Sequence, residues 1–152
     1  MEQCKQNFHH NKSILQLFDT LPKDYFVRYE EEEIIWHLWT IDKYQDKQII
    51  VSSRISEHNI VDVFVYSDNT SGLFYKLISI IERLGLNVVD AKIITTKANM
   101  AYNTISVLRD KIIDQIDINK EIEKDLSNSI IDAKRVGDKL KHRHFDNDLK
   151  IT

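Results

Sequence analysis

The sequence predicts an α+β sandwich, with helices on one face of a mainly antiparallel sheet. Three observations support this. The segments QIIVSSRI (48–55) and NIVDVFVYS (59–67) are rich in β-branched and aromatic residues, and Val61, Val63 and Val65 alternate with Asp62, Phe64 and Tyr66, the period of a half-buried strand. From residue 73 the apolar period becomes that of a helix. After residue 86 two more strand-like runs surround a short polar turn. Helices with one apolar face and strands flanking them bury those faces together by layering.

Taken in order, the first third reads as helical. Ile14, Leu17, Phe18 and Leu21 recur at helical spacing behind Ser13, an expected N-cap, and Pro22 interrupts the pattern. A second helix begins within YEEEEIIWHLWTI, where Glu30 to Glu33 place negative charge on the positive end of the helix dipole. Its stripe is Ile34, Leu38 and Ile41, with Ile35 and Trp39 alongside, a face wide enough to require a partner. After the two strands, LFYKLISIIERLG sets Leu73, Leu77, Ile80, Ile81 and Leu84 on one helix face and leaves Lys76, Ser79, Glu82 and Arg83 to water. Gly85 follows in the position where a left-handed conformation ends a helix. NVVDAKIITT and AYNTISVLRD then form a hairpin around KANM, with Asn99 tolerating positive φ. The last helix carries Ile118, Ile122, Leu126 and Ile130, and the tail KRVGDKLKHRHFDNDLKIT is basic and then extended.

The expected organisation is a helical extension over 1–48, a core domain over 49–131, and a basic linker with the start of a last strand over 132–152. The core order β, α, β, β, α with a closing β is ferredoxin-like, βαββαβ. Its sheet has no bare polar face, since Phe64 and Tyr66 lie on one side and the valines on the other. The N-terminal helices or a second copy of the fold are expected to cover the second face.

Composition bounds the function. With 152 residues, 42% hydrophobic and 30% charged, the chain reads as one globular domain with appendages, and no apolar run approaches the roughly 20 residues a membrane helix needs. A cytoplasmic protein without membrane partners is expected. A formal charge of −3 gives no broad attraction to phosphate backbones, so no nucleic-acid partner is expected. The single Cys4 excludes an internal disulfide and a cysteine zinc cluster, and MEQCKQNFHHNK lacks the apolar core of a signal peptide.

The most informative stretch is SDNTSGLF (67–74), which joins the end of a strand to the start of a helix through Gly72, one of three glycines in the chain. Free backbone N–H groups and the helix dipole converge there and favour a carboxylate. Gly72 removes the side chain that would block a ligand, and Asp68 and Asn69 can accept hydrogen bonds from an ammonium group. Together these are the requirements of a free α-amino acid. The same residue types also suit a tight turn that binds nothing.

Other constellations read as structural. His9 with His10, and His142 with His144, lack a carboxylate and cysteine set at metal spacing, so no metal site is expected. His37 reads as a packed or hydrogen-bonded histidine. No nucleophile arrangement is formed by one cysteine and scattered histidines, and no catalytic residue is expected. The basic run Lys134, Arg135, Lys139, Lys141 and Arg143 is interrupted by acids and lacks an aromatic platform, which favours a solvated linker. Tyr66, Tyr75 and Tyr102 read as interface and rim residues.

Residues 61–108, VDVFVYSDNTSGLFYKLISIIERLGLNVVDAKIITTKANMAYNTISVL, resemble an ACT domain, the βαββαβ module that binds amino acids. The segments LPKDYFVRYEEEEIIWH, DAKIITTK and KLKHRHF narrow the resemblance to the first of two C-terminal ACT domains in the protein-PII uridylyltransferase/uridylyl-removing family. Ser71 stands where ACT loops usually have Pro, Asn99 where the hairpin has Gly, and Asn103 where Asp is frequent; the first departure implies a softer, less preorganised loop. The resemblance implies glutamine sensing by Asp68, Asn69, Ser71, Gly72, Leu73 and Phe74, with Asn87 and Asp90 of the next strand contributed by the same or a paired domain. It further implies control of UMP transfer to, and removal from, the PII signalling protein, with a second ACT domain or a homodimer as structural partner. The transferase chemistry needs Mg²⁺ held by a Gly-Ser turn and paired Asp residues, and the hydrolase an adjacent His-Asp. This chain has neither dipeptide, so it is expected to be inactive alone and to need no cofactor itself. The alternative is a free-standing ACT-type dimerisation or adaptor module without metabolite binding.

Overall fold

The computed structural model describes residues 2–128. Four helices come first: α1 (Glu2–Gln6), α2 (Lys12–Thr20), α3 (Lys23–Arg28) and α4 (Glu31–Lys43). The strands are β1 (Ile50–Ser56), β2 (Ile60–Asp68), β3 (Val88–Thr95) and β4 (Met100–Leu108), with α5 (Leu73–Arg83) between β2 and β3. Residues 118–128 form α6. The sheet is antiparallel throughout in the order β1-β2-β4-β3, so the fold is α+β and ferredoxin-like.

The edge beside β2 is filled from the N-terminal side. In a βαββαβ unit the closing strand pairs there; here β1 pairs with β2 in unbroken register from Ile50↔Tyr66 to Ser56↔Ile60. A turn at Glu57–Asn59, with His58 and Asn59 at φ of 63° and 60°, makes the two strands a hairpin. The expected last strand after residue 132 lies outside the described residues, as do Ile130 and the basic run.

Helices cover both faces. Val61, Val63 and Val65 of β2 pack with Leu77, Ile80 and Ile81 of α5 and Ile118, Ile122 and Leu126 of α6 in one core. The alternate residues Phe64 and Tyr102, with Ile50 and Ile94, pack with Ile14, Phe18, Tyr25, Ile34, Leu38 and Ile41 of the N-terminal helices and with Phe8 of the α1–α2 turn in a second core. The period of two along β2 is what divides the cores. The N-terminal helices, rather than a second copy, therefore close the second face.

Local signals explain most element ends. The α4 capping box is complete, with Glu30 and Glu33 exchanging side chain-to-backbone hydrogen bonds. Gly85, at φ 79°, ends α5 with Gly85 N–H donating to Glu82 C=O and Leu86 N–H to Ile81 C=O, which satisfies two orphan carbonyls. The cap of α2 is Asn11, whose side chain accepts from Ile14 N–H, and Ser13 sits inside the helix instead. Asn reaches the amide three residues on, so the helix starts two residues earlier than Ser13 predicts. Pro22 starts α3 as well as ending the preceding pattern, because its fixed φ suits a helix entry. No described helix is long and apolar enough to cross a membrane.

Candidate functional site at the tip of helix α5

The loop between β2 and α5 is held from one side and open on the other. Asn69 N–H donates to Asn99 C=O at 2.9 Å, Asn99 Nδ2 donates to Asn69 C=O at 3.2 Å, and Asn69 Nδ2 donates to Asn99 Oδ1 at 3.3 Å. The hairpin turn between β3 and β4 thus staples the loop. Asn99 can do this because it adopts φ 60°, a conformation its short amide side chain tolerates.

Gly72 caps α5 in the left-handed region, φ 76° and ψ 8°, and a Cβ built there would meet nothing within 4 Å. Asp68, Asn69, Ser71 and Gly72 are exposed, Phe74 is half-buried and Leu73 is buried in the α5 core. Leu73 N–H donates to Thr70 C=O. Among the described residues the amides of Phe74 and Tyr75 have no acceptor, leaving two donors at the positive end of the dipole. Six of the expected site residues are thereby brought to one end of the sheet.

Asn87 and Asp90 are at the other end. Asp68 pairs with Met100 whereas Asp90 pairs with Ser106 of the same strand β4, six residues or roughly 20 Å away along the strand. One chain does not join them to the loop. β2 and β3 run parallel with β4 between them, so the start of β3 must face away from the end of β2.

A second polar constellation lies inside the protein. His37, fully buried, stacks on Phe64 at 3.9 Å and 12°. Its Nδ1 is 2.6 Å from Tyr25 Oη and its Nε2 is 3.3 Å from Thr104 Oγ1. Tyr29 Oη lies 3.1 Å from Thr104 Oγ1 and 3.3 Å from Lys92 C=O. Tyr29 Oη donates to Thr104 Oγ1 and to the Lys92 carbonyl, and the imidazole bridges the Tyr25 and Thr104 hydroxyls, donating from one ring nitrogen and accepting on the other. Burial, reinforced by Arg54 and Lys92, holds the imidazole pKa well below its usual value, so His37 is neutral. Burial also raises Tyr25 and Tyr29. These hydrogen bonds lock α3 and α4 to β4 and β3. Sequence reading identified His37 as structural but not its partners, which are 12 and 67 residues away.

The remaining candidates separate. The His9 and His10 rings lie 3.6 Å apart, tilted by 47°, and both residues are exposed, while His142 and His144 lie outside the described residues. Among the described residues no group of His, Cys, Asp and Glu can hold a metal ion. Tyr66 and Tyr102 make an edge contact at 5.0 Å, and Tyr75 is exposed on α5.

The family model described as the uridylyltransferase GlnD fifth domain matches residues 4–38, the stretch that forms α1 to α3 and the first half of α4. A protein of Methylococcus capsulatus named bifunctional uridylyltransferase/uridylyl-removing enzyme is 32% identical over 98 residues, 63% of this chain and 11% of that protein. Its namesake in Acinetobacter baumannii is 25% identical over 153 positions, 90% of this chain and 17% of that protein. The Vibrio campbellii protein of the same name is 30% identical over 99 residues, 64% of this chain and 11% of that protein. The chain spans between 11% and 17% of the length of these relatives.

Proposed function

The chain belongs to the GlnD uridylyltransferase family, within its regulatory C-terminal region, and on that premise we propose that it is an ACT-type sensor of a free amino acid, glutamine. The carrying observation is the open tip of α5: Gly72 in the left-handed region with no atom where a Cβ would sit, and the Phe74 and Tyr75 amides without acceptors. These amides receive the ligand carboxylate, and Asp68 and Asn69 accept from its ammonium group. Asn87 and Asp90 join the site only from a paired domain, supplied by a second ACT domain or a homodimer. In the longer protein, ligand binding favours one domain arrangement and so sets the balance between uridylylation and deuridylylation of PII. Catalysis and its Mg²⁺ belong to other domains of that protein.

Calorimetry on this chain and on a version extended through the following domain is the test. Glutamine binds the extended protein and binds this chain weakly or not at all; equal tight binding by both contradicts the paired site. In the extended protein Gly72→Val abolishes the glutamine heat while the melting transition persists. Uridylylation and deuridylylation assays on this chain alone give no turnover.

The outer edge of β3, where Val88, Val89 and Ile93 are exposed, favours a second reading, an adaptor that pairs through the sheet and binds no metabolite. Under it Gly72→Val changes nothing but stability.

A further inference from the structure

On the face covered by the N-terminal helices, the half of the sheet nearest the β1–β2 turn is not apolar. The register sets Arg54 beside Asp62, Asp62 beside Ser106, and Ser106 beside Asp90, a polar row across the whole sheet. α4 begins at Glu31 and leaves part of this row as the floor of a groove of about 480 Å³, with Lys92 and the acids Glu30, Glu32 and Glu57 on its walls.

The charges in the floor are incompletely matched. Asp62, 8% exposed, takes the Ser106 hydroxyl on Oδ1 at 2.6 Å, but its Oδ2 is 4.0 Å from Arg54 Nε, beyond hydrogen-bond reach. Arg54 Nε is buried without an acceptor, and the guanidinium lies 4.5 Å over the Trp36 ring. Lys92, by contrast, is held by Glu33 at 3.3 and 3.5 Å. Half-satisfied buried charges cost stability relative to apolar residues. Apolar residues fill the other end of this same face, where Ile50, Phe64, Tyr102 and Ile94 are buried.

We propose that this groove binds a small zwitterion, a non-acidic α-amino acid by chemical class. Its carboxylate lies on the planar donor fork of Arg54, and its ammonium group donates to Asp62 Oδ2. The acids on the wall repel a second carboxylate, which excludes aspartate and glutamate. The groove lies at the opposite end of the sheet from the α5 tip, so it is independent of the sensing site proposed above.

The test is a titration of the ¹⁵N-labelled chain by NMR with L-alanine, propionate, ethylamine and L-aspartate. L-Alanine shifts the amide signals of Arg54, Asp62 and Ser106 saturably, and the other three compounds bind at least about tenfold more weakly. Arg54→Lys, which keeps the charge and loses the fork, and Asp62→Asn each weaken L-alanine about tenfold or more while the rest of the spectrum is retained. Gly72→Val leaves these shifts unchanged, so failure at the α5 tip is read separately. Shifts confined to residues 68–74, an equal response to propionate, or no saturable shift overturns the groove site.

Discussion

At the scale of single residues, Gly72 and His37 show how differently a position can be constrained. Gly72 has space around it, and only its backbone demands glycine. Gly72→Ala therefore costs about 1 kcal/mol through the left-handed conformation alone, without a clash; urea denaturation measures it, and a loss above about 3 kcal/mol contradicts open space. His37 is the reverse, with an ordinary helical backbone and a fully determined side chain. Thr104→Val leaves His37 Nε2 without its hydrogen-bond partner and costs about 1–3 kcal/mol in the same measurement. The pH dependence follows in sign. The unfolded histidine gains a proton near pH 6.5 and the folded one resists it, so His37 lowers stability as pH falls below about 6.5 and contributes no slope above it. In histidine NMR spectra the His37 ring stays neutral at pH values where an unfolded histidine is already protonated. The glycine was legible in the sequence as a turn residue. The histidine's partners were not, because hydrogen bonds across 67 residues leave no periodic trace.

At the scale of elements, the amphipathic segments were legible throughout. Leu73, Leu77, Ile80 and Ile81 are buried on α5, Ile34, Leu38 and Ile41 on α4, and Ile118, Ile122 and Leu126 on α6. Trp39, placed beside the α4 stripe by its spacing, is 45% exposed and meets the Phe8 ring at 5.8 Å and a tilt of 53°, since a helix on a sheet buries a narrower face than its apolar residues span. The six-residue α3 carried no readable period, being too short for two turns of pattern. The β3–β4 turn has a role beyond joining strands. Asn99→Gly keeps the positive φ but deletes both side-chain bonds to Asn69, so the 68–72 loop loosens: hydrogen exchange at Asn69 and its neighbours accelerates several-fold while β4 amides are unaffected. Unchanged exchange would mean that the staple does not order the loop.

At the scale of the whole molecule, the sheet depends on helices from both sides. A chain starting at residue 49 would bare Phe64 and Tyr102, each almost fully buried, together with the Thr104 hydroxyl. Such a fragment is expected to self-associate or unfold, and a monomeric, cooperatively melting fragment in light scattering and calorimetry would contradict the two-core account. By itself the sequence determined the class of fold, the faces of the long helices and the turn at Gly72, because periodicity and local backbone preference are encoded within a few neighbouring residues. Tertiary structure alone decided that β1 takes the edge beside β2, that α1 to α4 close the second face, and that Asn87 and Asp90 part from the loop. Strand order and register are relations between distant segments, settled only when the two apolar faces of one sheet are buried together.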